Sequence, residues 1–399
     1  MTEAIGSCYP NGLQTSRRAF LRALSAAAIA SGVRLPEAFA GQQQTEPDVY
    51  STEQVVRYPE GAVRLNFNEN PLGPSPRAIT ALLQEGLQGC NRYGYVQPVI
   101  EALAARHTVS QKQILLGCGS TEILQIAPWS FLRDGGSLVY PEPTYDWSAG
   151  VAKAMGARVV PVPLGREGTI DVAALKKAID RQTRIVYFAN PNNPTGAALH
   201  FEELQSLVNA LPSGALLVVD EAYYNFLPGG TQGKTAIDLA RGGAPVIAVR
   251  TFSKAFGLAA LRLGYAVGPE ALIDKLRTFS MADLGINAAV IAAAPAALAD
   301  EEHVGRYVQC IDQGLEYLRA GLQEMGIKPW PHRAPFLIAD LGRESKPILE
   351  ALVRRKVYVR DGNAWSMPTC LRISVGLAAD NEAFLKTLRQ VNQVKTGRL

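Results

Sequence analysis

Arg250-Thr251-Phe252-Ser253-Lys254-Ala255-Phe256-Gly257-Leu258, with Arg262 eight residues past the lysine, decides how the chain is read. The apolar run before it, Pro245-Val246-Ile247-Ala248-Val249, has the length of a short buried strand. It delivers the loop to the strand's carboxyl end, where open α/β sheets hold their ligands. Lys254 stands beside two hydroxyls, Thr251 and Ser253, and between two cations, Arg250 and Arg262. Neighbouring positive charge and partial burial lower an amine's pKa and free its lone pair, so this lysine suits imine chemistry with a carbonyl. Taken alone it would read as a solvated surface lysine, the usual state of that residue.

Two more segments share the setting. Asn190-Pro191-Asn192-Asn193-Pro194-Thr195-Gly196 follows the strand-like Arg184-Ile185-Val186-Tyr187-Phe188-Ala189, and Asp220-Glu221-Ala222-Tyr223-Tyr224 ends the apolar run Ala215-Leu216-Leu217-Val218-Val219. With Thr251 to Gly264 these motifs resemble the fold-type I, class I/II aminotransferases that use pyridoxal 5′-phosphate (PLP), most closely the histidinol-phosphate aminotransferase branch. The resemblance runs from roughly Arg64 to Gly376 and includes Leu65-Asn66-Phe67-Asn68-Glu69-Asn70-Pro71-Leu72-Gly73-Pro74-Ser75, similar to the family's opening motif, which folds over the active site. It implies a PLP-dependent transferase fold: a large domain with a mostly parallel central sheet flanked by helices, and a smaller α+β domain.

The patterning points the same way independently. Strand signals at 113–116, 137–140, 158–162, 184–189, 215–219, 246–249 and 264–267 alternate with helical patterns at 121–126, 145–155, 172–180 and 201–211. Such alternation means βαβ units and a largely parallel sheet. Helices are also expected over Pro76 to Leu87 and Val99 to Arg106. From about Asn287 the character changes to long helical patterns, Ala288 to Leu298 with a kink at Pro295 and His303 to Met325. Short strands follow around Phe336 to Leu341, Val357 to Arg360 and Cys370 to Val375. The expected division is 1–40 as a signal peptide, 41–88 as an N-terminal arm with part of the small domain, 89–286 as the large PLP-binding domain and 287–399 as the C-terminal small domain.

An electron-withdrawing pyridine ring needs its nitrogen protonated, and an acidic neighbour enforces that. Asp220, at a strand end, fits this role as well as that of a turn or helix-cap aspartate. The resemblance assigns the cofactor's phenolate oxygen to Asn193 and Tyr223, and the Schiff-base linkage to Lys254. A helix N-terminus favours an anion, and Gly119-Ser120-Thr121 opens a helix after a strand; with Thr251, Ser253 and Arg262 these residues resemble the family's phosphate ligands. Gly117-Cys118-Gly119 lacks the third glycine of a dinucleotide fingerprint. Tyr145 resembles the ring that stacks on the pyridine. Tyr93 resembles the tyrosine that a second subunit donates to the phosphate, which implies a homodimer. Arg372 falls where the family keeps its substrate-anion arginine, whose planar fork matches a carboxylate or phosphate, and Arg360 is a candidate for a second anion contact.

The implied reaction transfers an amino group from an amino acid or related amine to a 2-oxo acid. The same residues also suit decarboxylation, elimination or racemisation, because the bond broken depends on substrate orientation. A non-catalytic PLP-binding protein is the remaining alternative. The sequence departs from the branch at Gly94, Tyr95, Thr121 and Pro335, and Tyr58 stands too near Asn66 to be the family's upstream substrate tyrosine.

At 399 residues, 47% hydrophobic and 19% charged, the chain is long enough for two domains. A formal charge of +4, with no basic cluster interleaved with aromatics, argues against nucleic acid. Ser16-Arg17-Arg18-Ala19-Phe20-Leu21-Arg22, a weakly apolar Ala23 to Ala30 and Ala38-Phe39-Ala40 have the order of a twin-arginine signal with its cleavage site. An amphipathic helix kept in the mature chain is the other reading. Cleavage after Ala40 removes Arg17, Arg18, Arg22, Arg34, Glu3 and Glu37, and leaves 36 minus 34, or +2. Recognition by the twin-arginine translocation machinery and a periplasmic or secreted enzyme follow. Cys90, Cys118, Cys310 and Cys370 then remain, with no CxxC spacing and no zinc pattern.

Overall fold

A computed structural model of the protein describes residues 58–395 apart from 87, 90, 230 and 231, all within one compact unit, Arg57–Leu399. The signal peptide read at 1–40 and residues 41–57 of the arm after it lie outside the described residues.

The described chain opens with a two-residue strand, β1 (Val63–Arg64), and a helix over Pro76–Ala81, capped by Ser75 with Pro76 in its first turn. The helix expected through Leu87 changes instead to a π-helical turn over Leu82–Gly86. There Gly86 lies so close to Ala289 that an added Cβ would be 2.9 Å from its Cα.

Seven strands then build the main sheet: β2 (Ile114–Cys118), β3 (Ser137–Glu142), β4 (Arg158–Pro163), β5 (Thr183–Ala189), β6 (Leu216–Asp220), β7 (Val246–Thr251) and β8 (Leu263–Val267). Their order is β2-β8-β7-β6-β5-β3-β4. The five from β7 to β4 are parallel, while β8 runs antiparallel to both neighbours. The strands read as continuous apolar runs because helices cover both faces. In β6, Leu217 and Val219 face one hydrophobic cluster and Leu216 and Val218 the other.

The later chain forms β9 (Lys328–Pro329), β10 (Phe336–Asp340), β11 (Val357–Tyr358), β12 (Arg360–Asp361) and β13 (Cys370–Ser374). Four of these make an antiparallel sheet in the order β12-β13-β10-β9, and β11 pairs in parallel with β1. Helices over Ala288–Ala299, which continues through Pro295, and Glu301–Glu324 lead into this region, and Ala378–Lys395 closes it. Leu65 ties the opening segment into both small sheets, its N–H donating to Tyr358 O and its carbonyl accepting from Ser374 N, each at 2.8 Å. The strap that follows, Asn66 to Gly73, therefore lies between the small sheets and the carboxyl ends of β5, β6 and β7.

Candidate active site

Topology gathers the site. Parallel strands end at one edge of the sheet, so β3 delivers Tyr145, β5 delivers Asn193, β6 ends in Asp220 and β7 ends in Thr251 just before Ser253 and Lys254. Because β8 runs the other way, the residue just before it, Arg262, reaches the same edge. There the guanidinium lies against Gly119, where an added Cβ would sit 2.2 Å from Nη2. Gly119 also has φ +72 and ψ 164, a backbone conformation essentially open to glycine alone. It precedes the helix Ser120–Leu132 and gives it no side-chain cap, which leaves first-turn N–H groups for an anion. Ser253 Oγ accepts from Thr251 Oγ1 at 2.9 Å and from Arg262 Nη1 at 3.4 Å, so hydroxyls and guanidinium form one cluster beside that terminus. Tyr145 hydrogen-bonds Thr121 and lies within the electrostatic reach of both Asp220 and Arg262.

Asp220 is buried, 4% exposed, and accepts from Ala222 N at 3.0 Å. Its burial lifts the carboxyl from 3.8 to about 7. Lys254 Nζ donates to Phe67 O at 2.9 Å. Desolvation first, then the charge of Arg372, lowers its pKa to about 8. The amine lies 5.9 Å from the Tyr223 ring centre. Burial raises the Tyr223 phenol to about 12.

Arg372 is buried at the opposite wall. Its Nη1 donates to Asn193 Oδ1 at 2.6 Å and its Nη2 to Asn66 O at 2.5 Å. An arginine only donates, so Asn193 must turn its oxygen to Arg372 and its NH2 elsewhere. Desolvation lowers Arg372 to about 10, and Phe336 and Trp365 flank it at 5.3 and 5.2 Å. Arg360 stands directly opposite Arg372 in the β12–β13 ladder, 6.0 Å from the Phe67 ring and 5.9 Å from Trp365. Among the described residues its guanidinium makes no hydrogen bond or ion pair. Like charges facing each other across a ladder destabilise a sheet, so the pair suits an anionic ligand.

Of the expected cofactor and substrate residues, Tyr93 alone lies apart from the cleft, 86% exposed, and Arg250, expected to act on Lys254, instead pairs with buried Glu221. The strap supplies contacts that sequence reasoning left unassigned: Asn66 and Phe67 through their carbonyls, Asn68 through Tyr223, and Asn70 through Ala255 O at 2.9 Å. Trp365 was also missed; a lone tryptophan carried no signal there. Tyr58 folds back onto the Asn66 side chain, with Nδ2 2.8 Å from its hydroxyl.

With this geometry in place, comparison with known proteins is decisive. Residues 60–388 match the family of class I and II aminotransferases. The chain belongs to that family. The aminotransferase is 36% identical over 369 residues to histidinol-phosphate aminotransferase 2 of Pseudomonas fluorescens (strain Pf0-1), an alignment covering 90% of this chain and 99% of the relative. It is 36% identical over 332 residues to the histidinol-phosphate aminotransferase of Moorella thermoacetica, covering 82% and 85%. Among solved structures, histidinol-phosphate aminotransferase from Sinorhizobium meliloti in complex with pyridoxal-5′-phosphate superposes with TM-score 0.78 at 26% identity, covering 89% of this chain and 99% of that one. Aspartate aminotransferase from Thermus thermophilus, at 22% identity and TM-score 0.73, shares the fold.

Proposed function

We propose that this aminotransferase moves an amino group between an amine carrying an anionic group and a 2-oxo acid, with pyridoxal 5′-phosphate linked to Lys254. The observation that carries the reading is the placement of Lys254, a lysine of lowered pKa between the buried carboxylate of Asp220 and the anion-binding arginine Arg372.

The residues fit the cofactor. Arg262, Ser253, Thr251 and the uncapped turn at Gly119, Ser120 and Thr121 suit a phosphate. Asp220 Oδ2 accepts no hydrogen bond among the described residues and suits a ring N–H. Tyr145 supplies a ring face, and Asn193 Nδ2 and the Tyr223 hydroxyl suit the phenolate oxygen. Bound there, PLP supplies a carbonyl that amines condense with and a ring that draws electrons from the carbon bearing the amine. Asp220 holds the proton on the ring nitrogen. Lys254 Nζ would serve as the base that takes the proton from the substrate's α-carbon and returns it. Arg372 holds the substrate's anionic group, and Arg360 reaches a second one.

The names of the relatives make histidinol phosphate the first amine to test, since either a carboxylate or a phosphate matches a guanidinium fork. A second copy of the chain is proposed to complete the site. Tyr93 is 86% exposed in one chain, with Tyr95 at 74%, Leu284 at 71% and Met281 at 64%; exposed apolar side chains of this number mark an interface. Twin-arginine export rests on Arg17, Arg18 and Ala38-Phe39-Ala40.

The test is steady-state transamination with single amine donors, histidinol phosphate among them, followed by amino-acid product detection. Activity in the parent and none in Lys254→Ala is expected. Turnover that survives Lys254→Ala would overturn the assignment.

A further inference from the structure

The direction of one hydrogen bond at the cofactor site is fixed by three others. Asn68 N donates to Ser374 Oγ at 2.9 Å, and Ser374 Oγ donates to Asn68 Oδ1 at 2.7 Å. Asn68 Nδ2 then faces Tyr223 Oη at 2.9 Å. Inverting the Asn68 amide would place an NH2 against a hydroxyl that already accepts from a backbone N–H. The Ser374 proton would then lose its acceptor, in a site only 3% exposed. A buried donor without a partner is costly, so the amide keeps its oxygen toward Ser374. Tyr223 Oη is therefore an acceptor on its Asn68 side, and its single proton is left for another acceptor.

We propose that Asn68, oriented by Ser374, is a positioning residue that makes Tyr223 a hydrogen-bond donor into the active site. The inference rests on the reading that Tyr223 meets the cofactor's phenolate oxygen. Asn193 is oriented in the same way, because Arg372 takes its oxygen and leaves its NH2 free. Two donors are thus aimed at one oxyanion by partners that cannot reverse. Donors on the phenolate drain the charge that would otherwise retain the proton on the neighbouring lysine nitrogen. That proton therefore leaves at lower pH.

The strap gives this arrangement its mechanical basis. Asn68 has φ +54, a left-handed conformation tolerated by Asn and Asp far better than by branched or bulky residues. The residues beside it are held by Lys254 to Phe67 O and by Asn70 to Ala255 O. The position of the strap and the polarity of Tyr223 are consequently set by the same side chain, Asn68. Lys254 is faced by Arg372, Glu69, Asp220 and Arg262, and Tyr223 by Arg372, Asp220 and Tyr145, none of which the variants below alter.

Asn68→Asp keeps shape and backbone conformation but replaces a donor with an acceptor, which draws the Tyr223 proton toward the strap. The experiment titrates the visible absorbance of the PLP-loaded protein with pH in the parent, Tyr223→Phe, Asn68→Asp and the double variant, and measures PLP affinity alongside. Tyr223→Phe should raise the midpoint by about one pH unit, a tenfold change in the equilibrium. Asn68→Asp should raise it as far, and the double variant no further than either alone. An Asn68→Asp shift that adds in full to that of Tyr223→Phe would mean the new carboxylate acts only as a charge, and would overturn the proposal. So would an unmoved midpoint in Asn68→Asp beside a moved one in Tyr223→Phe. No shift in Tyr223→Phe would instead refute the placement of Tyr223 at the cofactor, and the proposal with it. Ser374→Ala, which removes the group that orients the amide, provides a second route and should move the midpoint in the same direction; a parental midpoint there overturns the role of Ser374.

Discussion

Asp220→Asn should stabilise the cofactor-free protein and weaken its hold on PLP, and the first effect should depend on pH. The carboxyl is 4% exposed, accepts one backbone N–H and is lifted from 3.8 to about 7 chiefly by burial. Below pH 3.8 it is protonated in both folded and unfolded chains, and burial carries no ionisation penalty. As the pH rises towards 7 the unfolded chain alone ionises, so stability falls; above 7 both states are ionised and the loss is complete. The gap between 3.8 and about 7, roughly three pH units, corresponds to about 4 kcal/mol at ~1.4 kcal/mol per unit. An asparagine carries no such penalty, although its NH2 needs an acceptor and costs about 1–3 kcal/mol if it finds none. That cost does not vary with pH. The stability difference between variant and parent should therefore grow by about 3 kcal/mol from pH 5 to pH 8.5. Urea unfolding of both cofactor-free proteins at the two pH values measures it. A difference that stays flat would refute the reasoning, because it would mean that Asp220 ionises in the folded protein without penalty. Loading with PLP should reverse the order, since a cationic ring N–H gives the carboxylate the partner it otherwise lacks.

Capture of PLP by the cofactor-free protein requires neutral Lys254, so its rate should climb with pH around a midpoint near 8, measured by stopped-flow absorbance, and not near 10. Arg372→Met should lower kcat/KM for an anionic amine about 10- to 100-fold, from loss of a charge-assisted hydrogen bond, and affect an uncharged amine less. Arg250→Met should destabilise the protein by about 3–5 kcal/mol in urea unfolding, because it strands Glu221, fully buried and held by Arg250 Nη2 at 2.8 Å and Nε at 2.9 Å. Adding Glu221→Leu to that variant should recover much of the loss.

The reading that the sequence supported best was local and covalent. An apolar run followed by Arg-Thr-Phe-Ser-Lys fixes a strand, a turn and the chemistry of an amine within a few residues, and the same holds for Asp220 after β6 and Asn193 after β5. Continuous apolar runs separated by helical periods are enough to call for a parallel sheet buried on both faces. Shortness hid the helices Ala236–Arg241 and Lys346–Val353, six and eight residues whose stability comes from packing. What no stretch of sequence contains is the meeting of parts far apart in the chain. Asn68 and Ser374 are 306 residues apart, as are Asn66 and Arg372, while Arg372 and Asn193 are separated by 179. Only the folded chain brings the strap, the β5 turn and β13 together, and only there do desolvation and crowded charge carry Lys254 down to about 8 and Asp220 up to about 7. Residue type set what each group can do; burial and distant neighbours set which protonation state and which hydrogen-bond direction it adopts.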